Sequence, residues 1–262
     1  MDSQQKKCEL GPWNVSTTQG PILKSSCPLQ ENSTHEGDKC AECCFAKLNY
    51  PLPEMVFGEN CLRIAHQAGF ALEFRALDAL KLVDDKKEWM HVPVADQWQK
   101  ERQGVTGVDK CSNPYDWTYS TPYRGSLVGD VTVSTTEERI NLDKLREREK
   151  ILFFDEILLF EDELGDNGGA QLEVKVRCMP SGFFVLQRFF LRVDGSIVRL
   201  HDTRLYHGAG TDYAIREYLV KEKKISELPG LEAHELRDPD FLSGKMKEVE
   251  LVCERLQFPS AS

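Results

Sequence analysis

The residues best suited to chemistry in this sequence are a group of cysteines, an acidic stretch and one histidine–aspartate pair. Cys40, Cys43 and Cys44 lie close together, with Cys27 and His35 nearby. Thiolates and imidazoles are the usual ligands of structural zinc, but such sites normally need two cysteine knuckles and this sequence has one. Unliganded thiols are therefore the default interpretation, and a zinc site is the alternative.

The acidic stretch is Glu161–Glu163, which precedes the turn-forming residues 165–168. A calcium loop places oxygen ligands at alternating positions and ends in a glutamate, and this stretch has neither property. We interpret it as an exposed connection between strands, with calcium binding as the alternative.

The sequence lacks the motifs that are typical of nucleophilic catalysis and of dinucleotide-dependent catalysis. The chain contains neither Gly-x-Ser-x-Gly nor Gly-x-x-x-x-Gly-Lys, and residues 208–210 lack the third glycine of a dinucleotide-binding turn. His201 and Asp202 could form an acid–base pair, but adjacent strand residues point to opposite faces. We expect Asp202 to pair with Arg204 instead. The sequence thus predicts no catalytic residue, no cofactor and no metal; the alternative is a metal-dependent hydrolase using His201, Asp202 and His207.

The composition is that of a folded, acidic protein. Its 262 residues include 33 basic and 43 acidic side chains, which gives a net charge of −10. A surface of this sign repels nucleic acid and anionic membranes, so neither is an expected partner. We predict a cytoplasmic location, because the sequence has no signal-like segment or bilayer-spanning apolar run and its nine cysteines fit reduced thiols.

The elements that must position these residues are predicted to be mainly strands. Residues 170–178 alternate as in a half-buried strand, and 183–193 is apolar on both faces, which is typical of a central strand. Asp194-Gly195 indicates a two-residue hairpin turn, so we expect a three-stranded antiparallel meander. The turn sets these cross-strand pairs: Val193–Ser196, Leu191–Val198, Phe189–Leu200 and Gln187–Asp202.

Helices are predicted to cover this sheet. The helical patterns span residues 78–82, 144–150, 213–223 and 245–256. Residues 69–74 indicate a short strand, and 151–160 is ambiguous, with a strand favoured in its second half. The expected fold is α+β, with a mainly antiparallel β-sheet covered by helices in a single domain. Residues 1–10 are expected to be disordered.

Aromatic residues are dense in the segment 114–125, where Tyr115, Trp117 and Tyr119 alternate. A core strand is the favoured interpretation, because large aromatic side chains contribute most when buried. A face that grips a peptide is the alternative, since tyrosine, tryptophan and arginine are enriched at interfaces.

Long motifs along the chain resemble one family. The motifs are Leu52–Asn60, Pro114–Tyr119, Leu159–Leu164, Asp166–Gly168 and Asp202–Tyr206, together with Gly11–Trp13 and residues 183–192. They are similar to those of the TOR signalling pathway regulator-like family (TIPRL). The resemblance covers about residues 11–258 as one domain, with a variable cysteine-containing segment at about 25–48.

The resemblance implies a non-catalytic regulator that binds the catalytic subunits of type-2A, type-4 and type-6 serine/threonine phosphatases in TOR signalling and inhibits or allosterically regulates them. It also implies a family-specific α+β fold with a groove for the extended C-terminal tail of the catalytic subunit. The phosphatase-associated alpha-four/Tap-type regulator is a further expected partner, and the chain alone is expected to be a monomer. An adaptor for another client is the alternative.

The family positions implicated in phosphatase binding correspond here to Asp78, Ile140, Leu200 and Asp202. Leucine at 200 replaces the common methionine, a change that conserves volume. We add Arg204 and Tyr206 from their position alone, because an apolar residue beside an acid and an arginine suits an apolar tail that ends in a carboxylate. The structural alternatives are a helix N-cap for Asp78, an arginine pair for Asp202 and a core position for Ile140.

Overall fold

The computed structural model describes residues 3–24, 40–41, 44, 48, 50–83 and 118–259. Within these ranges the chain forms two antiparallel sheets and a few short helices in a single domain, so the predicted α+β class is confirmed. None of the helices in the described ranges is long and apolar enough to cross a bilayer. The predictions for Cys27, His35, Cys43, Tyr115 and Trp117 fall outside the described residues.

The smaller sheet contains β1 (Gln4–Leu10), β2 (Trp13–Gln19), β4 (Cys61–His66), β5 (Ala71–Arg75) and β6 (Ser126–Val128). These strands lie in the order β1-β2-β4-β5-β6, and helix α1 (Ala76–Leu80) continues directly from β5. The expectation of disorder for residues 1–10 is wrong from Gln4 onward, because β1 pairs with β2 along its whole length. Backbone pairing therefore orders a segment whose side chains are mostly polar.

The larger sheet contains β3 (Met55–Val56), β7 (Thr132–Thr135), β8 (Phe153–Asp162), β9 (Gly168–Met179), β10 (Gly182–Val193), β11 (Ile197–Gly208), β12 (Tyr213–Lys224) and β13 (Glu248–Gln257). Their order is β3-β8-β9-β10-β11-β12-β13-β7. Helix α2 (Leu142–Arg146) lies in the connection between β7 and β8. The connection between β12 and β13 contains the 3-10 turns Ile225–Glu227 and Glu235–Arg237 and helix α3 (Pro239–Lys245).

The main hydrophobic core lies between the two sheets. The smaller sheet contributes Val15, Leu62, Ile64, Leu72 and Phe74, and the larger sheet contributes Val174, Val176, Phe183, Val185 and Phe189. Tyr119 and Tyr123 are buried in the same core, which agrees with the core interpretation of the aromatic segment for these two residues. Because side chains alternate along a strand, the opposite face of the larger sheet remains for other contacts.

A second, smaller core covers one end of that opposite face. Val198 and Leu200 of β11 pack with Leu228, Leu242 and Met246 from the segment between β12 and β13. α3 begins at the N-cap Asp238, whose side chain accepts from two backbone N–H groups, and its buried residue is Leu242. The helix is thus attached to the sheet by one apolar anchor and a well-formed cap.

The predicted meander is confirmed as β9–β11, but its predicted register is wrong by one residue. The connection contains three residues, with Gly195 at a φ of +70° and Ser196 N donating to Val193 O. A three-residue loop with glycine in the left-handed region is the next most common hairpin connection after the two-residue turn. The observed pairs are Val193–Ile197, Leu191–Arg199, Phe189–His201 and Arg188–Asp202.

Several predicted helices also need correction. Residues 213–223 lie in β12. Of the predicted helix 245–256, residues 248–256 lie in β13, and Lys245 is the last residue of α3. Asp78 lies inside α1, where Arg75 is the N-cap residue without a side-chain cap bond. The predicted helix near 144–150 exists as the shorter α2, capped by Asn141, whose side chain accepts from Lys144 N.

Candidate functional site

A groove of about 600 Å³ lies on the outer face of the larger sheet, between α2 and α3. The apolar side chains that line it are Leu142, Leu145, Phe154, Phe184 and Leu186. The charged side chains that line it are Arg146, Lys175, Arg177, Arg188, Arg204, Lys221 and Asp240. A protein with a net charge of −10 thus concentrates positive charge in this groove.

The register of β9–β11 creates this pattern. Three cross-strand rows cross this part of the sheet: Arg177–Phe184–Tyr206, Lys175–Leu186–Arg204 and Glu173–Arg188–Asp202. All of these residues except Tyr206, Glu173 and Asp202 line the groove. Because alternate residues of a strand share a face, β10 contributes an apolar stripe that ends at Arg188. The flanking strands place cations beside the stripe. This arrangement suits an extended, partly apolar segment that carries negative charge.

Arg188 is the most firmly held cation in the groove. Its Nε donates to Asp202 Oδ1 at 2.7 Å and its Nη2 donates to Asp202 Oδ2 at 2.8 Å, while its Nη1 donates to Asp240 Oδ1. Burial alone would lower the pKa of Arg188, but the hydrogen bonds and charges of Asp202 and then Asp240 raise it above its ordinary value. The guanidinium is therefore a fixed positive charge.

Leu200 and Asp202 lie beneath the groove. Leu200 is 1% exposed under α3, and Asp202 is 2% exposed. The predicted pair of Asp202 and Arg204 is the longer contact, at 3.9 Å, because Arg188 takes both carboxylate oxygens at shorter range. In this arrangement Arg204 lines the groove, whereas Leu200 and Asp202 support it from below.

Ile140 and Tyr206 meet in a separate depression of about 270 Å³ beside α2. Ile140 is 6% exposed, and its N–H donates to Glu217 Oε1 at 2.9 Å. Arg139 Nε donates to the same oxygen at 2.6 Å, so the buried Glu217 fixes the segment that leads into α2. The Oη of Tyr206 is buried and has no hydrogen-bond partner among the described residues.

Asp78 belongs to another part of the molecule. Its side chain accepts from Ser126 Oγ at 2.9 Å and from Lys81 Nζ at 3.1 Å. The other four residues of α1 are buried, in the core between the two sheets. The structure therefore brings Ile140 and Tyr206 together and Arg204 into the groove, but it does not bring Asp78 to either place.

The residues of the hydrolase alternative do not converge. His201 lies on the inner face of β11, where its Nδ1 is 2.9 Å from Thr121 O and 3.1 Å from Tyr218 Oη. His207 lies on that face too and accepts a hydrogen bond from Trp13 Nε1 at 3.0 Å. Asp202 points to the outer face. The two histidines are therefore structural, and the carboxylate is separated from them by the sheet.

His201 predicts a specific dependence of stability on pH. Burial lowers the pKa of His201 from 6.5 to about 4, so the imidazole is neutral in the folded state. Between these values the unfolded chain binds a proton that the folded protein does not, and stability falls as the pH falls. Between about pH 7 and about pH 5, His201 should lower the unfolding free energy of the unaltered protein by about 2 kcal/mol. The variant His201→Asn should not show this part of the loss. Urea unfolding at several pH values measures this slope.

The matched control for this experiment is His234→Asn, which alters an exposed histidine. That variant should keep the slope of the unaltered protein. An unchanged slope in His201→Asn would mean that the imidazole already binds a proton in the folded state.

Several groove residues were not identified from the sequence as functional. The alternation in 170–178 indicates only that Lys175 and Arg177 face solvent. The apolar pattern of 183–193 places Phe184 and Leu186 in a strand buried on both faces. Arg188 was the strongest available signal, because a charged residue inside an apolar central strand needs a partner. The one-residue error in register concealed that partner, Asp202.

The chain is an α+β protein with a groove of apolar and cationic side chains on the outer face of its larger sheet. The model of the TIP41-like family matches residues 55–229, and the chain belongs to this family. It is 43% identical to the TIP41-like protein of Homo sapiens over 253 residues, which cover 95% of this chain and 88% of the human protein. It is 34% identical to the type 2A phosphatase activator TIP41 of Saccharomyces cerevisiae over 274 residues, which cover 95% of this chain and 74% of the yeast protein. The family resemblance inferred from the motifs is thereby confirmed.

Proposed function

We propose that this protein is a non-catalytic regulator that binds the catalytic subunits of type-2A-like serine/threonine phosphatases. The relatives in Saccharomyces cerevisiae and Schizosaccharomyces pombe are named type 2A phosphatase activators, which supports this class of partner. The proposal extends to the type-4 and type-6 catalytic subunits, to the alpha-four/Tap-type regulator and to a cytoplasmic role of the monomer in TOR signalling. In this proposal, binding inhibits or allosterically regulates the catalytic subunit.

The observation that carries the proposal is the groove between α2 and α3. Its apolar stripe along β10 and its flanking cations match an extended peptide with apolar side chains and a terminal carboxylate. Arginine forks bind carboxylates through paired hydrogen bonds, which gives both strength and orientation. We therefore place the C-terminal tail of the catalytic subunit along Phe184 and Leu186, with its carboxylate near Arg188 and Arg204.

The remaining predicted site residues take supporting roles in this proposal. Asp202 orients Arg188 from below, and Leu200 anchors the segment that carries α3. Ile140 and Tyr206 line the depression beside α2, where the body of the catalytic subunit would make a second contact. Asp78 would belong to a third contact, on the side of the smaller sheet.

Removal of the positive charge at Arg204 tests the groove. We expect Arg204→Gln to weaken binding of the purified type-2A catalytic subunit about tenfold, because one charge-assisted hydrogen bond is lost. Biolayer interferometry with the immobilised variant measures this change. Arg148→Gln is the matched control, since it removes the same charge from an exposed residue outside the groove and should bind as the unaltered protein does.

A catalytic subunit without its last ten or so residues provides the second arm. It should bind weakly to the unaltered protein and respond little to Arg204→Gln. If the unaltered protein fails to bind the intact catalytic subunit, the phosphatase proposal is wrong and the adaptor alternative takes its place. If the intact and shortened subunits bind equally well, the partner is right but the groove is not its tail site.

A further inference from the structure

The guanidinium of Arg188 is shared between two carboxylates of very different exposure. The side chain of Asp202 is 3% exposed and takes the Nε and Nη2 donors. The side chain of Asp240 is 78% exposed and takes the Nη1 donor from the groove side. The first carboxylate is part of the sheet, whereas the second reaches over from α3.

The carboxylate of Asp240 can move away from Arg188 without unfolding α3. α3 is held by the buried Leu242, by the cap at Asp238 and by Lys221, whose Nζ donates to Ser243 O at 2.8 Å and to Ser243 Oγ at 3.2 Å. None of these contacts uses the Asp240 carboxylate. A rotation of one exposed side chain would therefore expose Nη1 of Arg188 to the groove.

We propose that Asp240 is a built-in competitor that occupies, in the unbound protein, the donor of Arg188 to which the terminal carboxylate of a bound peptide binds. This inference rests on the proposed function, because it takes the groove as the site of an extended carboxylate-ended segment. The ligand carboxylate displaces Asp240 and forms the same kind of charge-assisted hydrogen bond.

Electrostatic repulsion prevents the carboxylate of Asp240 and that of the ligand from binding Arg188 at the same time. Asp202 and Asp240 already place two negative charges beside the single positive charge of Arg188, so a third carboxylate at the same guanidinium would meet like-charge repulsion. The nearby cations Arg204 and Lys221 are left to stabilise the ligand after the exchange. Because the ion pair of Asp240 is mostly exposed to water, its competition is modest. The displacement of Asp240 costs every carboxylate ligand the same free energy. A peptide that also buries apolar side chains along β10 offsets this cost, whereas a small anion does not.

Peptide binding to three forms of the full chain tests the competitor. The probe is a synthetic peptide of the last ten residues or so of a type-2A catalytic subunit, made once with a free C-terminal carboxylate and once with a C-terminal amide. We expect Asp240→Ala to bind the free-carboxylate peptide about three- to tenfold more tightly than the unaltered protein, with no gain for the amide. Glu227→Ala is the control, because it removes an exposed acid from the same segment between β12 and β13. It should bind both peptides as the unaltered protein does.

Each outcome decides one claim. Equal or weaker binding by Asp240→Ala, with measurable binding by the unaltered protein, refutes the competitor and leaves the tail-binding proposal standing. An equal gain for both peptides also refutes it, because a loosened α3 would open the groove without any carboxylate exchange. Binding by Asp240→Ala alone supports the competitor in its strongest form. If neither the unaltered protein nor Asp240→Ala binds either peptide, both the competitor proposal and the tail-binding proposal are wrong.

Discussion

Asp202→Leu is expected to lower the free energy of unfolding by about 3–5 kcal/mol, because it leaves the guanidinium of Arg188 buried without its bidentate partner. Both side chains are almost inaccessible, at 6% exposure for Arg188 and 3% for Asp202. Asp240 stays bound to Nη1 but cannot reach the donors that face the sheet. Urea unfolding followed by circular dichroism measures the loss.

A double variant separates an unpaired buried charge from a general packing defect. Arg188→Met combined with Asp202→Leu replaces the pair by apolar groups of similar size, so it should recover much of the lost stability. Asp143→Asn is the control on an exposed ion pair, where both partners are mostly in water and little change is expected. A single variant within about 1 kcal/mol of the unaltered protein would contradict the buried pair.

This expectation changes how binding experiments at Asp202 are interpreted. A variant that unfolds more easily also loses its partners, so loss of the phosphatase from Asp202→Leu is not evidence of a direct contact. Arg204 and Asp240 are better positions, because their side chains line the groove and make fewer buried contacts. Stability of each variant must be measured beside its binding.

The sequence was informative where local patterns determine local structure. The alternation in 170–178 and the two apolar faces of 183–193 predicted two strands that the structure contains. The pattern in 144–150 predicted a helix that the structure contains as α2, although α2 begins two residues earlier, after the N-cap Asn141. In each case a few adjacent residues carry the whole signal.

Register was the main limit for the site. Asp194-Gly195 fits either a two-residue or a three-residue loop, and the choice depends on how Ser196 closes the turn. A shift by one residue changes every cross-strand neighbour, so Gln187 replaced Arg188 opposite Asp202 in the predicted pairing. The groove follows from these neighbours, and no local pattern specifies them.

The helices predicted for residues 213–223 and 245–256 were wrong for a different reason. The apolar spacing in β12 is compatible with a helix, and the sheet overrides it because β11 and β13 pair with β12 on both sides. The strand is buried on both faces along much of its length, so its sequence lacks simple alternation. Tertiary pairing, which a single sequence does not display, decided these segments.

Trp13→Ala is expected to lower the free energy of unfolding by about 3–5 kcal/mol, since it removes the side chain that joins the two sheets at one end. The indole is 4% exposed, and its centroid lies 4.7 to 5.5 Å from five rings, those of His66, Phe70, Phe183, His207 and Phe258. These rings come from β4, from the turn before β5, from β10 and β11, and from the residue after β13. The neighbouring side chain in β2, Asn14, points to the opposite face and does not replace these contacts.

Trp13→Phe divides this loss between packing and hydrogen bonding. Phenylalanine keeps an aromatic ring but removes the Nε1 donor, which leaves Nε2 of His207 without its partner at a cost of about 1–3 kcal/mol. Ile151→Ala, at an exposed apolar residue, should have little effect and serves as the control. Circular dichroism in urea compares the three variants. If Trp13→Ala and Ile151→Ala unfold at the same urea concentration, the N-terminal hairpin of β1 and β2 is not part of the cooperative fold.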